Sequence, residues 1–146
     1  MIALDASALL AFLFRESGHE RVAAAIGASC LSTVNLTEVL GRFVRDGHDA
    51  GAVLGRLART PIELVPFSAS QATLAASIIP KTQPHGLSLG DRACLALALS
   101  RSIPALTADQ TWGKLDVGVT IRLIREVTQR DGKKPSKPPS ARPRRK

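Results

Sequence analysis

The chain has 146 residues and is 45% apolar, which fits one domain with a real core and leaves little room for two. Its longest unbroken apolar runs, Ala8–Phe14 and Ala93–Leu99, have seven residues each, against roughly 20 for a membrane helix, so no membrane span is expected. The net charge of +8 is unevenly placed: residues 129–146 hold eight Lys/Arg and one acid, residues 1–128 twelve Lys/Arg and eleven acids, which excludes a strongly basic folded domain.

Met1–Leu4 is expected to form a strand and Ala6–Phe14 a helix. This N-terminal stretch lacks the basic segment of a signal peptide, and Asp5 interrupts it before the apolar run, so it is read as part of the mature domain and the protein as cytoplasmic. Gly18–Ile26 has a helical pattern and Ser29–Ser32 is a short strand. The spacing predicts a helix over Asn35–Asp46, with Val39, Leu40, Phe43 and Val44 on its apolar side. Ala50–Arg59 is a further helix, closed by Thr60-Pro61. Ile62–Val65 is a strand and Ala69–Ile79 a helix stopped by Pro80.

A polar loop follows. Leu89–Arg101 is apolar nearly all round, the mark of a buried helix. Pro104–Leu106 is a strand, Gln110–Lys114 about one helical turn, and Val119–Ile121 a last strand. Strands alternating with helices predict an α/β fold, a three-layer sandwich around a short parallel sheet. Residues 1–128 form this domain. Residues 129–146 contain four prolines and no apolar periodicity, and are expected to be a disordered basic tail.

Cys30 and Cys94 are isolated in apolar segments and are read as reduced, buried thiols. His19, His48 and His85 show no zinc-ligand spacing. Most acids follow surface logic, but four do not. Asp5 ends the first strand, at the sheet edge where open α/β sheets place ligands; its structural alternative is an N-cap for the following helix. Glu38 lies within a helix, with Asn35 on the same face; its alternative is an i,i+4 pair with Arg42. Asp91 sits in the first turn of the most apolar helix, where Ser88 and Asp91 also have capping-box spacing. Asp109 follows a strand and is also a candidate cap. Asp116 is a weaker candidate, in a loop.

Four carboxylates gathered at one sheet edge repel one another, and a divalent cation relieves that conflict. All-oxygen ligation selects Mg²⁺ or Mn²⁺, and the matching chemistry is phosphodiester hydrolysis. Two rivals use the same residues. One is an aspartate-nucleophile phosphatase built on Asp5, which wants a second acid two residues on, where Ser7 stands, and a catalytic lysine. The other is an RNA-binding module that does not cut.

The segments IALDASALL (Asp5), STVNLTEVLGR (Glu38), LSLGDRACLALAL (Asp91) and LTADQTWGKL (Asp109), in this order and spacing, resemble the PIN-domain ribonucleases, specifically the VapC-type toxins of type II toxin–antitoxin systems. The resemblance spans about residues 1–125. It implies a PIN-like three-layer α/β/α sandwich and a Mg²⁺- or Mn²⁺-dependent endoribonuclease that cleaves tRNA or another structured RNA. It also implies a homodimer and silencing by a VapB-like antitoxin. Asp5, Glu38, Asp91 and Asp109 match the family's acidic quartet, and Ser7, Asn35 and Thr107 its supporting polar positions. Asp116 sits where some relatives carry a further acid. The basic tail departs from the usual pattern; it either adds non-specific RNA affinity through phosphate contacts or is a solvated extension with no dedicated partner.

Overall fold

The computed structural model describes residues 1–125. The expected boundary at residue 128 and the tail at 129–146 lie outside the described residues. The elements in order are β1 (Ile2–Leu4), α1 (Ala6–Leu13), α2 (His19–Ala25), β2 (Ser29–Ser32), α3 (Thr33–Arg45), α4 (Ala50–Leu57), β3 (Glu63–Val65), α5 (Ala69–Ser77), α6 (Ile79–Thr82), α7 (Leu89–Arg101), β4 (Ala105–Thr107) and β5 (Ile121–Leu123). Short 3₁₀ turns cover Ile26–Ala28, Gln83–His85 and Gln110–Lys114. Among the described residues no helix is long and apolar enough to cross a membrane.

All strands pair in parallel, in the order β3-β2-β1-β4-β5. The alternation of a strand divides the core in two. Ile2, Leu4, Leu31 and Leu106 pack with Leu9, Val22, Leu36, Val39, Val53 and Leu57, from α1–α4, on one face. Ala3, Cys30, Val65 and Ala105 pack with Ile78, Cys94, Leu95, Leu97 and Trp112 on the other. The result is the three-layer α/β/α sandwich. Helix α7 is buried continuously from Ala93 to Ala98, which explains its apolar circumference. Cys30 and Cys94 are free and buried, and burial raises both thiol pKa values. Arg101 grips Glu63 with two hydrogen bonds of 2.7 and 2.8 Å, tying the end of α7 to β3.

The strand order has a functional consequence. From β1 the chain moves outward to β2 and β3, then returns to place β4 on the other side of β1. The carboxyl ends of β1 and β4 therefore flank a topological switch point, where neighbouring connections diverge and leave a crevice.

Three expectations are corrected. Pro80 does not stop the helical path; it occupies the first turn of α6, where its missing N–H is harmless. The last strand is Ile121–Leu123 rather than Val119–Ile121. Apolar alternation runs from Val119 to Leu123 and leaves the start ambiguous, while the turn at Gly118 (φ +84°) and pairing of Ala105 with Ile121 set the register. Helix α3 begins at Thr33, earlier than Asn35, because the Ser32 hydroxyl caps it by accepting from Val34 N at 3.2 Å.

Candidate active site

Asp5 leaves β1 and caps α1, its Oδ1 accepting from Ala8 N at 2.9 Å. It is 3% exposed. The Ser7 hydroxyl donates to its carboxylate at 2.8 Å, and Thr107 Oγ1 donates to Oδ2 at 2.7 Å. Thr107 is the last residue of β4, so this bond crosses the switch point. Burial pushes the Asp5 pKa up to about 6, against the lowering effect of these hydrogen bonds, and the negative charge of Asp91 adds to the rise.

Asp91 completes a capping box at the start of α7: Ser88 N donates to Oδ2 at 2.8 Å, and Asp91 N donates to the Ser88 hydroxyl. Asp109 caps the 3₁₀ turn, with Oδ1 accepting from Thr111 N and Thr111 Oγ1, while its own N–H donates to Thr107 Oγ1. Thus Asp5, Asp91 and Asp109 all fill the structural roles foreseen for them. Capping does not exhaust them: among the described residues, Asp91 Oδ1 and Asp109 Oδ2 accept no hydrogen bond.

Glu38 does not form the alternative i,i+4 pair with Arg42. Arg42 turns the other way, its Nε 3.3 Å from Asp46 Oδ2 and its guanidinium 4.5 Å over the Phe14 ring. Glu38 is held instead by Asn35, whose Nδ2 donates to Glu38 Oε1 at 3.0 Å and to the Gly90 carbonyl at 2.9 Å. Asn35 is buried, so it links α3 to the first turn of α7 and fixes where Glu38 points.

One cavity of about 280 Å³ is lined by Asp5, Ser7, Leu10, Glu38, Asp91 and Asp109, together with Arg42 and Arg45. The four acids singled out from sequence meet there, and Ser7, Asn35 and Thr107 bond to their carboxylates. Asp116 does not line the cavity; it is exposed in the loop before β5. Lys81 and Lys114, the lysines among the described residues, do not line it either, so none of these supplies the lysine that the phosphatase reading wants. Sequence reasoning missed Gly90. Its signal was a glycine inside a strong helix pattern, next to an acid: it leaves room for the Glu38 carboxylate, which an added Cβ would meet at 2.2 Å.

The candidate donors Asp5, Glu38, Asp91 and Asp109 are all carboxylate oxygens, the ligand type that a hard divalent cation takes. Among the described residues, no group of three or more His, Cys, Asp or Glu side chains is drawn together tightly enough to hold an ion. Mg²⁺, however, keeps several waters and needs only one or two direct carboxylates. Four carboxylates face one cavity, and among the described residues Glu38 Oε2, Asp91 Oδ1 and Asp109 Oδ2 accept no hydrogen bond, a donor set that fits such an ion.

A family model described as PIN domain matches residues 2–118. No curated relative matches the sequence. Among solved structures, the chain is similar to a toxin–antitoxin complex from Klebsiella pneumoniae, with a TM-score of 0.67 and 15% identity over 87% of this chain and 100% of that one. It is also similar to FitAcB from Neisseria gonorrhoeae, with a TM-score of 0.63 and 20% identity over 85% and 98% of the two chains. VapBC-5 from Mycobacterium tuberculosis, of the VapBC family of toxin–antitoxin systems, aligns with a TM-score of 0.58 and 22% identity over 86% and 98%.

Proposed function

The chain belongs to the PIN domain family, and from that premise we propose that it is a metal-dependent endoribonuclease toxin of the VapC type, neutralised by a VapB-like antitoxin. The observation that carries the proposal is the convergence of Asp5, Glu38, Asp91 and Asp109 on one cavity at the switch point of the sheet. The toxin–antitoxin relatives support the antitoxin partner, and a homodimer is the expected assembly.

Asp5, Asp91 and Asp109 would hold Mg²⁺ or Mn²⁺, directly or through water. The cation would neutralise charge on the phosphate and lower the pKa of the attacking water. Ser7, Thr107 and the Ala8 N–H keep Asp5 oriented in its buried position. Asn35 aims Glu38, which positions the attacking water and takes its proton. A new bond forms between the water oxygen and phosphorus, the bond from phosphorus to the 3′ oxygen breaks, and that oxygen takes a proton from solvent and leaves as a hydroxyl. The product carries a 5′ phosphate.

The test is incubation of purified protein with RNA and with DNA of the same sequence, in Mg²⁺ or Mn²⁺, with the new ends sequenced. RNA cut internally to leave 5′ phosphates supports the reading. RNA bound but left uncut under every metal condition favours the non-cutting module instead.

A further inference from the structure

The four acids share their cavity with two cations. Arg42 and Arg45 both lie on α3, one and two turns beyond Glu38, on the same stripe of the helix. At 1.5 Å per residue they stand about 6 and 10 Å from Glu38 along the helix axis. Neither is spent on the acids beside it. Arg42 is braced by Asp46 through Nε and by the Phe14 ring, which itself stacks on Phe43 at 5.2 Å. That contact uses the Nε edge of the guanidinium and leaves the fork of terminal amino groups outside it.

Arg45 makes no hydrogen bond or ion pair among the described residues. Its Nη1 lies back along the helix, 3.7 Å from where a Cβ on Gly41 would stand. An arginine that stays clear of carboxylates within its own cavity is placed for another anion. The planar fork matches a phosphate.

We propose that Arg42 and Arg45 form a subsite for backbone phosphates of the substrate, next to the scissile one and on its α3 side. The inference rests on the nuclease reading and deepens it. The acids attend to the bond being cut, and the arginines register the neighbouring nucleotides. The substrate is then a polynucleotide engaged over several phosphates, and a dinucleotide forfeits most of the binding.

The test separates this claim from cleavage by reading binding in an Asp5→Asn background with the full chain. A fluorescent single-stranded RNA of roughly ten nucleotides is titrated over a range of salt. Each phosphate contact on a single strand contributes about 0.7 to the slope of log K against log salt. Arg45→Ala and Arg42→Ala are each expected to flatten the slope by about that amount and to lower affinity several-fold. Arg45→Lys, which keeps the charge, should retain the slope. In the cutting-competent chain the alanine variants should raise KM more than they lower kcat, and lengthening the RNA beyond a dinucleotide should help them less than the wild type. An unchanged salt slope in both alanine variants overturns the subsite. A wild-type protein that binds RNA with this arginine-dependent slope yet never cuts it overturns the nuclease reading alone.

Discussion

Gly90 and Glu38 occupy space that only a glycine leaves open: a Cβ at position 90 would stand 2.2 Å from Glu38 Oε2 and 2.5 Å from its Cδ. The atoms in the way are the end of a flexible side chain, so the fold can absorb a methyl group there by moving Glu38. Gly90→Ala is therefore expected to leave the melting temperature unchanged or raised, since alanine favours a helix by up to about 1 kcal/mol. Cleavage should fall by roughly tenfold or more, because Glu38 loses its position. Melting and cleavage measured on one preparation check this. Equal loss of stability and activity would assign Gly90 to packing instead.

The buried Asp5 makes stability depend on pH in metal-free protein. Its pKa is about 6 in the fold, against 3.8 for the free side chain. Below about pH 4 both states hold the proton and the group contributes no difference. Between about pH 4 and 6 the unfolded chain releases its proton first, so the folded state loses stability as pH rises, by roughly 3 kcal/mol in all. Asp5→Asn keeps a side-chain cap on α1 and removes this loss. Urea unfolding in EDTA should show the variant more stable than wild type at pH 7, with the difference fading as pH drops toward 4. A difference independent of pH would contradict the account.

Gly18 precedes α2 with φ +92°, and a Cβ there would stand 2.6 Å from the Ile124 carbonyl oxygen. The obstruction is backbone, which cannot swing aside. Gly18→Ala should destabilise the protein by roughly 2–3 kcal/mol, combining left-handed strain with the clash. Denaturant midpoints would show it. A neutral substitution would mean that the segment after β5 yields.

The tail, residues 129–146, holds eight Lys/Arg and one acid. Its balance of +7 is expected to add phosphate contacts that release counterions. Deletion after Arg130 should weaken RNA binding and flatten its salt dependence, and an unchanged slope would remove the idea.

The fold was legible where local signals agreed with tertiary demand. The strand Ser29–Ser32 and the helix Leu89–Arg101 have the boundaries expected from sequence; Ser88 caps the helix and a continuous apolar run fills it. Pro80 and the start of β5 were misread because each segment allows more than one boundary, and neighbours in space select among them. The four acids were legible as a set, although three also cap helices. Capping and a place on the cavity share a cause: helices that start at the carboxyl edge of a parallel sheet bring their first turns to the crevice. Glu38 shows the limit of local rules. Helical spacing offers it Arg42, but Phe14 on the neighbouring chain segment and Asp46 draw that guanidinium away, and Gly90 opens the space that Glu38 fills. Contacts between residues far apart in sequence leave no periodic trace.

On the proposed reading the four carboxylates act together with a divalent cation on RNA. The most direct measurement is the rate of RNA cleavage by the purified chain across a Mg²⁺ or Mn²⁺ titration and in excess EDTA, for wild type and for Asp5→Asn, Glu38→Gln, Asp91→Asn and Asp109→Asn. Glu38, Asp91 and Asp109 each accept through a single oxygen that the amide retains; at Asp5 the amide oxygen keeps the Ala8 cap while Thr107 Oγ1 must turn to accept from Nδ2. The fold should therefore survive. Cleavage should rise with metal, vanish in EDTA and fall by orders of magnitude in Asp5→Asn and Asp91→Asn. Full activity in EDTA, or wild-type rates in Asp5→Asn, would contradict the proposed reading.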